Sequence, residues 1–242
     1  MIGAMTSTIL NLGCGTRTSP QMVNIDFSIY QRLRKSPVGP AIAAVALNGY
    51  RREQFDSMQG EVVVHNLRKG IPAKPDSVDA VYHSHVFEHI DRDAIPGFLA
   101  EVLRVLRPGG VHRIVVPDLE TLMRDYLDSL ESGRPEHDTA VSNIFLQCTR
   151  REAAGTSLQR PLRRRIENLI LGSARRRGES HLWMWDRRNL QEALEEAGFV
   201  DVKRVGPGES DIPNWETIGL DLNPDGSLYK PQSLFMEARK PI

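Results

Sequence analysis

The stretch ILNLGCGTRTSPQMVNID, Ile9 to Asp26, decides how the rest of the chain is read. An apolar run feeds a Gly-x-Gly pair, Gly13 and Gly15, and a second apolar run closes on an acid, Asp26. Glycines at the end of a buried strand let the backbone approach a ligand closely, and an acid ending the next strand can accept hydrogen bonds from ribose hydroxyls. That is the outline of a nucleotide-binding crossover, although a lone Gly-x-Gly is equally the mark of a plain turn between strands. Only nine residues separate Leu12 from Met22, so the crossover has no room for its usual helix.

Along the chain, four apolar runs read as buried strands of a parallel sheet: Thr8–Leu12, Met22–Ile25, Glu61–Val64 and Val78–His83. A fifth, Val111–Val116, comes after RPGG, which stops the helical pattern of Ile95–Leu106. In that helix Phe98, Leu99, Val102, Leu103, Val105 and Leu106 form a broad apolar face suited to packing on a sheet. Asn189–Ala197 reads as a helix ended by Gly198, and Val200–Val205 and Leu234–Ala238 as an antiparallel pair at the sheet's edge. The fold class is therefore α/β, a doubly wound mixed seven-stranded sheet in one domain. The 242 residues suffice to bury a single substantial core.

With 40% hydrophobic and 26% charged residues and a formal net charge of zero, the chain reads as a soluble globular protein that does not attract polyanions as a whole. No basic region precedes the first apolar run, which predicts no signal peptide, and no run reaches the roughly 18 apolar residues of a membrane span. Two cysteines, Cys14 and Cys148, suit a reducing compartment, so the expected location is the cytoplasm. Between Asp118 and Ser180 the strand–helix alternation breaks down. This segment reads as a helical insertion or lid, and from Thr149 to Gly178 it carries nine arginines against two glutamates.

Five motifs in order give the chain a resemblance to the class I S-adenosylmethionine-dependent methyltransferases, of the type 11-like kind. LNLGCG is similar to their first glycine motif, and VVHNL to the third-strand motif that meets adenine. DSVDAVYHSHVFEHI resembles the fourth strand and the helix after it, VLRVLRPGGVHRIVVPD the helix and fifth strand, and LQEALEEAGFVDVKRV the late helix and sixth strand. A nicotinamide dehydrogenase competes for the glycine loop alone. The resemblance implies S-adenosyl-L-methionine bound by Asn11, Gly13, Cys14, Gly15, Asp26, Asn66 and Leu67, with His83 lining the pocket. Three departures stand out: Asn11 replaces an acid, Arg17 the third glycine, and Asn66 another acid. The trimmed crossover resembles a bacterial subgroup often associated with glycan assembly, which implies O-methylation of a sugar, glycan or other small-molecule hydroxyl. A non-catalytic cofactor-binding scaffold is the alternative that the degenerate glycine motif suggests.

The second constellation is SHVFEHI. His85, Glu88 and His89 at i, i+3 and i+4 fall on one face if a helix begins here. One reading makes a histidine the general base for a substrate hydroxyl, since its pKa lies near neutrality. Another makes the triplet part of a divalent-metal site. A third leaves them as helix-bracing residues. The metal reading is similar to the Glu-x-x-Glu-His of the metal-dependent O-methyltransferases of ubiquinone biosynthesis and plant small-RNA methylation. The latter resemblance extends to HLWMWDRRNLQEAL and adds His181 as a fourth group. HVFEH also matches the zinc-peptidase pattern His-x-x-Glu-His, which leaves the other motifs unexplained. His65, His112 and His137 read as structural or solvated. The arginine-rich insertion suits a lid over an anionic acceptor, such as a nucleotide sugar, better than RNA, because it has few aromatics for stacking; an interfacial helix touching a membrane is compatible.

Overall fold

A computed structural model of the protein describes residues 7–47, 49–148 and 181–242. Seven strands form one sheet: β1 (Ile9–Leu12), β2 (Val23–Asp26), β3 (Val63–Val64), β4 (Val78–Ser84), β5 (Leu106–Pro117), β6 (Val200–Arg204) and β7 (Ser233–Arg239). Their order is β3-β2-β1-β4-β5-β7-β6. The first five are parallel and β7 runs antiparallel between β5 and β6. The expected doubly wound mixed sheet is what forms. All four residues of β1 are buried, as befits a central strand covered on both faces.

The crossover from β1 to β2 is made of turns alone, and Leu10, Asn11 and Leu12 still pair in parallel with Val23, Asn24 and Ile25. The missing helical mass is displaced to the next connection, where α1 (Ile29–Lys35), α2 (Gly39–Ala46) and α3 (Gly49–Ser57) lie between β2 and β3. Their apolar periodicity is too short to show in the sequence. Strand alternation then sorts the core. Leu10, Leu12, Val81, Ile114 and Val116 face α4 (Ile95–Val105) and α7 (Arg187–Glu196), meeting Leu99, Val102, Leu190 and Leu194. Ile9, Tyr82, Val115 and Phe235 point to the opposite face, which is covered by Ile212, Trp215, Ile218 and Leu220 from the connection between β6 and β7.

RPGG does not separate a helix from a strand. It lies inside β5, whose pairing with β4 is irregular between Val78 and Ala80, a bulge beside Gly109 at φ +75°. Gly110 is required there, because a Cβ would come within 2.9 Å of the Arg107 carbonyl and 3.1 Å of the Asp79 carbonyl. After β5, α5 (Leu119–Ser132) is capped by Asp118, whose carboxylate accepts from Glu120 and Thr121, and α6 (His137–Cys148) comes next. The arginine-rich part of the expected insertion lies outside the described residues. Among those residues no helix is long and apolar enough to cross a membrane.

Candidate active site

The C-terminal ends of β1 and β4 open onto a cavity of about 140 Å³, the place where ligands bind in open α/β sheets. Asn11, Gly13, Cys14 and Gly15 form one wall, Tyr82, Ser84 and His85 another, and Leu220, Tyr229 and Lys230 the third. Gly13 has φ +65°, and a Cβ there would meet a Val86 methyl at 2.5 Å, so only glycine fits. Asp26 closes the loop from below. Its Oδ2 accepts the Gly15 N–H at 3.0 Å and its Oδ1 the Ser28 N–H at 2.6 Å. Each oxygen retains a further lone pair for a ligand hydroxyl. Burial pushes the Cys14 thiol up to about 12, with the Asp26 charge adding to it, so this cysteine is a neutral wall and not a nucleophile.

The departures from the glycine motif have structural reasons. Asn11 gives its amide to the Arg17 carbonyl at 2.9 Å and to Asn24 Oδ1 at 3.1 Å, which holds the trimmed turn. Arg17 reaches across to the β6–β7 connection, donating to the carbonyls of Gly219, Leu220 and Leu222 at 3.3, 3.0 and 2.5 Å. Its guanidinium also stacks 4.2 Å from the Tyr229 ring. The third wall of the cavity is thus latched to the glycine loop by the residue that replaces a glycine.

Asn66 and Leu67 lie beyond β3 and do not line this cavity. The Asn66 side-chain Oδ1 caps the turn Leu67–Lys69 by accepting from the Arg68 N–H at 3.1 Å. His83, expected in the cofactor pocket, points the other way. Alternation along β4 sends Tyr82 and Ser84 to the cavity and His83 into the core, where it is fully buried against Phe87 and Phe98. Its Nε2 sits 3.0 Å from Nε2 of the buried His112. Burial lowers its pKa to about 4, against a smaller opposing pull from Glu88.

The four residues His85, Glu88, His89 and His181 come together, but not on a helix. Strand β4 ends at Ser84, His85 takes a left-handed conformation at φ +54°, and Phe87–His89 is one tight 3₁₀ turn. Such a backbone is uncommon for histidine and aims its ring into the cavity. His85 Nδ1 is 3.2 Å from Glu88 Oε1, and His85 Nε2 is 3.0 Å from Ser233 Oγ. His181 arrives from across the insertion because the Leu182 N–H bonds the Glu88 carbonyl at 2.7 Å. Trp185 then bridges to Asp118 and stacks on Phe87 at 4.9 Å.

Burial pushes the Glu88 carboxyl up, but the His85 contact and the electrostatic pull of the surrounding His85, His89 and His181 outweigh it and hold it at about 2. The carboxylate is ionised. Burial lowers His181, against smaller opposing pulls from Glu88 and the Gln147 carbonyl. Its Nδ1 donates to that carbonyl, which fixes the orientation of the ring. Sequence reasoning missed Ser233, Tyr229 and Lys230, which carry no motif and reach the site only through the β5–β7 pairing and the Arg17 latch.

Residues 10–114 match the family model described as a methyltransferase domain. No curated protein matches the chain. Among solved structures, a SAM-dependent methyltransferase from Archaeoglobus fulgidus is 15% identical, covering 98% of this chain and 87% of its own at a TM-score of 0.43. A 1,6-didemethyltoxoflavin-N1-methyltransferase from Burkholderia thailandensis is also 15% identical, covering 98% of this chain and 72% of its own at 0.44.

Proposed function

We propose that the chain, whose residues 10–114 match a methyltransferase-domain model, uses S-adenosyl-L-methionine to methylate a hydroxyl of a small-molecule acceptor, with a sugar or glycan as the acceptor class. The observation that carries the reading is the placement of His85. It lines the same cavity as the glycine loop, with Ser233 Oγ hydrogen-bonded to Nε2 at 3.0 Å and the Glu88 carboxylate in electrostatic contact with Nδ1 at 3.2 Å. A carboxylate behind an imidazole fixes the ring and stabilises the cation it becomes on taking a proton.

The residues present suit the donor. The Gly13 cradle would be filled by a Cβ, and Asp26 is a pinned carboxylate at the end of β2. The cavity of about 140 Å³ is below the roughly 300 Å³ at which pockets for whole small ligands begin. The donor, when bound, would be held by the glycine loop, Gly13 to Gly15, with Asp26 available to its ribose hydroxyls. When bound, the cofactor supplies an electrophilic methyl group on a sulfonium. The chain's own part is to align the acceptor oxygen with that methyl, exclude water, and take the hydroxyl proton at His85 Nε2 as Ser233 gives way. The segment from about 118 to 180, of which α5 and α6 are the described part, serves in this reading as the lid over the acceptor.

The test is S-adenosylhomocysteine formation with a panel of hydroxylated sugars and nucleotide sugars. His85→Ala is expected to lower kcat about 100-fold or more, the scale of a lost general base, with cofactor affinity unchanged. Asp26→Ala is expected to weaken cofactor binding by about 2 kcal/mol. Tight cofactor binding with no turnover on any hydroxyl acceptor would make the protein a non-catalytic scaffold. Full activity in His85→Ala would remove the base.

A further inference from the structure

Beside the cavity, Glu88, His89 and His181 face one another around a carboxylate that hydrogen bonding leaves incomplete. Glu88 is fully buried, and among the described residues neither carboxylate oxygen has a well-formed hydrogen bond. His181 gives its Nδ1–H to the Gln147 carbonyl, which turns Nε2 toward Glu88 Oε1 at 3.9 Å, too long for a hydrogen bond. His89 Nε2 stands 3.8 Å from the same oxygen, and the two imidazoles meet edge to face with centroids 4.8 Å apart. A fully buried carboxylate with no hydrogen-bond partner, ringed by imidazole nitrogens held beyond hydrogen-bond distance, calls for a cation between them.

We propose that Glu88, His89 and His181 hold a divalent cation of the zinc type, which fastens the chain after the insertion to the end of β4. The inference goes beyond the methyl-transfer reading and does not depend on it. One ligand atom from each residue lies within 4.8 Å of the others. Tetrahedral zinc at 2.0–2.1 Å needs about 3.4 Å between ligands, so small side-chain rotations close the set. Two imidazoles and one carboxylate suit zinc, cobalt or nickel, whereas magnesium prefers oxygen alone. The surroundings are those of a ligand shell: a backbone carbonyl on the far nitrogen of His181 fixes its ring and tautomer.

His85 is not a ligand here. It touches Glu88 from the cavity side, through Nδ1, and the expected set of four divides into three metal ligands and one cavity residue. The site joins three stretches distant in sequence: the turn after β4, the segment beginning at His181, and the end of α6 through Gln147. Its ligands are nearly closed to solvent, so the cation positions the chain, and His85 with it through Glu88, and does not itself touch the acceptor.

The full chain, freed of metal by chelator and without cofactor, is titrated with Co²⁺ and, separately, with Zn²⁺ or Mg²⁺. One equivalent of Co²⁺ is expected to give the intense visible absorption of a four-coordinate ion, displaced by Zn²⁺. Saturating Zn²⁺ is expected to raise Tm by about 5 °C or more, and Mg²⁺ to do nothing. His89→Ala and His181→Ala lose both signals while His85→Ala keeps both. His181→Gln, which retains a donor for the Gln147 carbonyl, guards against misfolding and should also lose them. Absence of both signals in the natural sequence, their survival in His181→Gln, or their loss in His85→Ala would overturn the assignment. None of these readouts requires methyl transfer, so they fail or succeed apart from the proposed function.

Discussion

Two clusters of buried charge lie on opposite faces of the sheet, and they differ in completeness. On one face Arg113, fully buried, donates to Asp221 at 2.7 and 3.1 Å, to Glu237 at 2.8 Å, and to the carbonyls of Gly206, Pro207 and Glu209. The acids are satisfied in turn: Tyr82 and Trp215 donate to Asp221, and Ser210 and the Asp211 N–H to Glu237. On the other face Glu88 stands among three histidines with its oxygens unmatched. The first cluster is finished by the polypeptide itself and binds the β6–β7 connection to the sheet. The second is finished only by something added. A buried charge network that balances internally is architecture, and one that does not is a site.

The severest challenge to this distinction is at Arg113. Arg113→Met leaves two acids in the interior without their cation, and breaking a buried pair in this way costs about 3–5 kcal/mol. The expected result is a large fall in the denaturation midpoint, together with loss of the Arg17 latch that depends on the same connection. A midpoint within experimental error of the parent would mean that the network is not what holds this face.

A third buried pair lies between these extremes. His83 and His112 share one nitrogen–nitrogen contact at 3.0 Å, and the Nδ1 of each has no partner among the described residues. Burial lowers both, His83 to about 4 and His112 well below its usual value, with the His83 charge adding at His112. The sign comes from proton binding. The unfolded chain takes up protons as pH falls through about 6.5, while folded His83 refuses them until about 4. Stability is therefore present above about 6.5 and is lost towards pH 4, by about 1.4 kcal/mol per pH unit for each such group. A His83→Leu/His112→Leu double variant should flatten the dependence over that window. Parallel pH profiles in urea melts would refute the role of the pair.

The contrast also explains how far the sequence could be read. Strands and their order emerge from apolar runs, because a fully buried parallel strand such as β1 is apolar throughout. Which face of β4 meets the cavity is not legible from β4 alone, since alternation exchanges Tyr82 for His83 with a one-residue shift. The closeness of His85 and Glu88 was legible from a spacing of three, but the tight turn Phe87–His89 begins only after His85 and is not the helix that the spacing suggested. The left-handed backbone at His85 was not, since it is imposed by β4 ending there and by the His85 N–H bond to the Val115 carbonyl at 2.8 Å. Arg17 read as a defect in a glycine motif because its partners, Gly219 to Leu222, lie some two hundred residues away.

A subtler measurement separates the two clusters most sharply. A double-mutant cycle measures what two side chains gain from each other beyond their single contributions. For Arg113 and Asp221, joined by two donors in the core, Arg113→Met with Asp221→Asn should give a coupling of about 2 kcal/mol or more. For Glu88 and His181 in metal-free protein, Glu88→Gln with His181→Gln should give about 0.5 kcal/mol or less. The closest approach is 3.9 Å, beyond hydrogen-bond distance, and the hydrogen bond His181 does make goes to Gln147. With saturating Zn²⁺ the same cycle should rise well above that value, because each single change then removes the ion the other needs. A metal-free coupling as large as that of Arg113 and Asp221 would show an imidazolium–carboxylate pair already complete in the fold, and the distinction between the two faces of the sheet would fall.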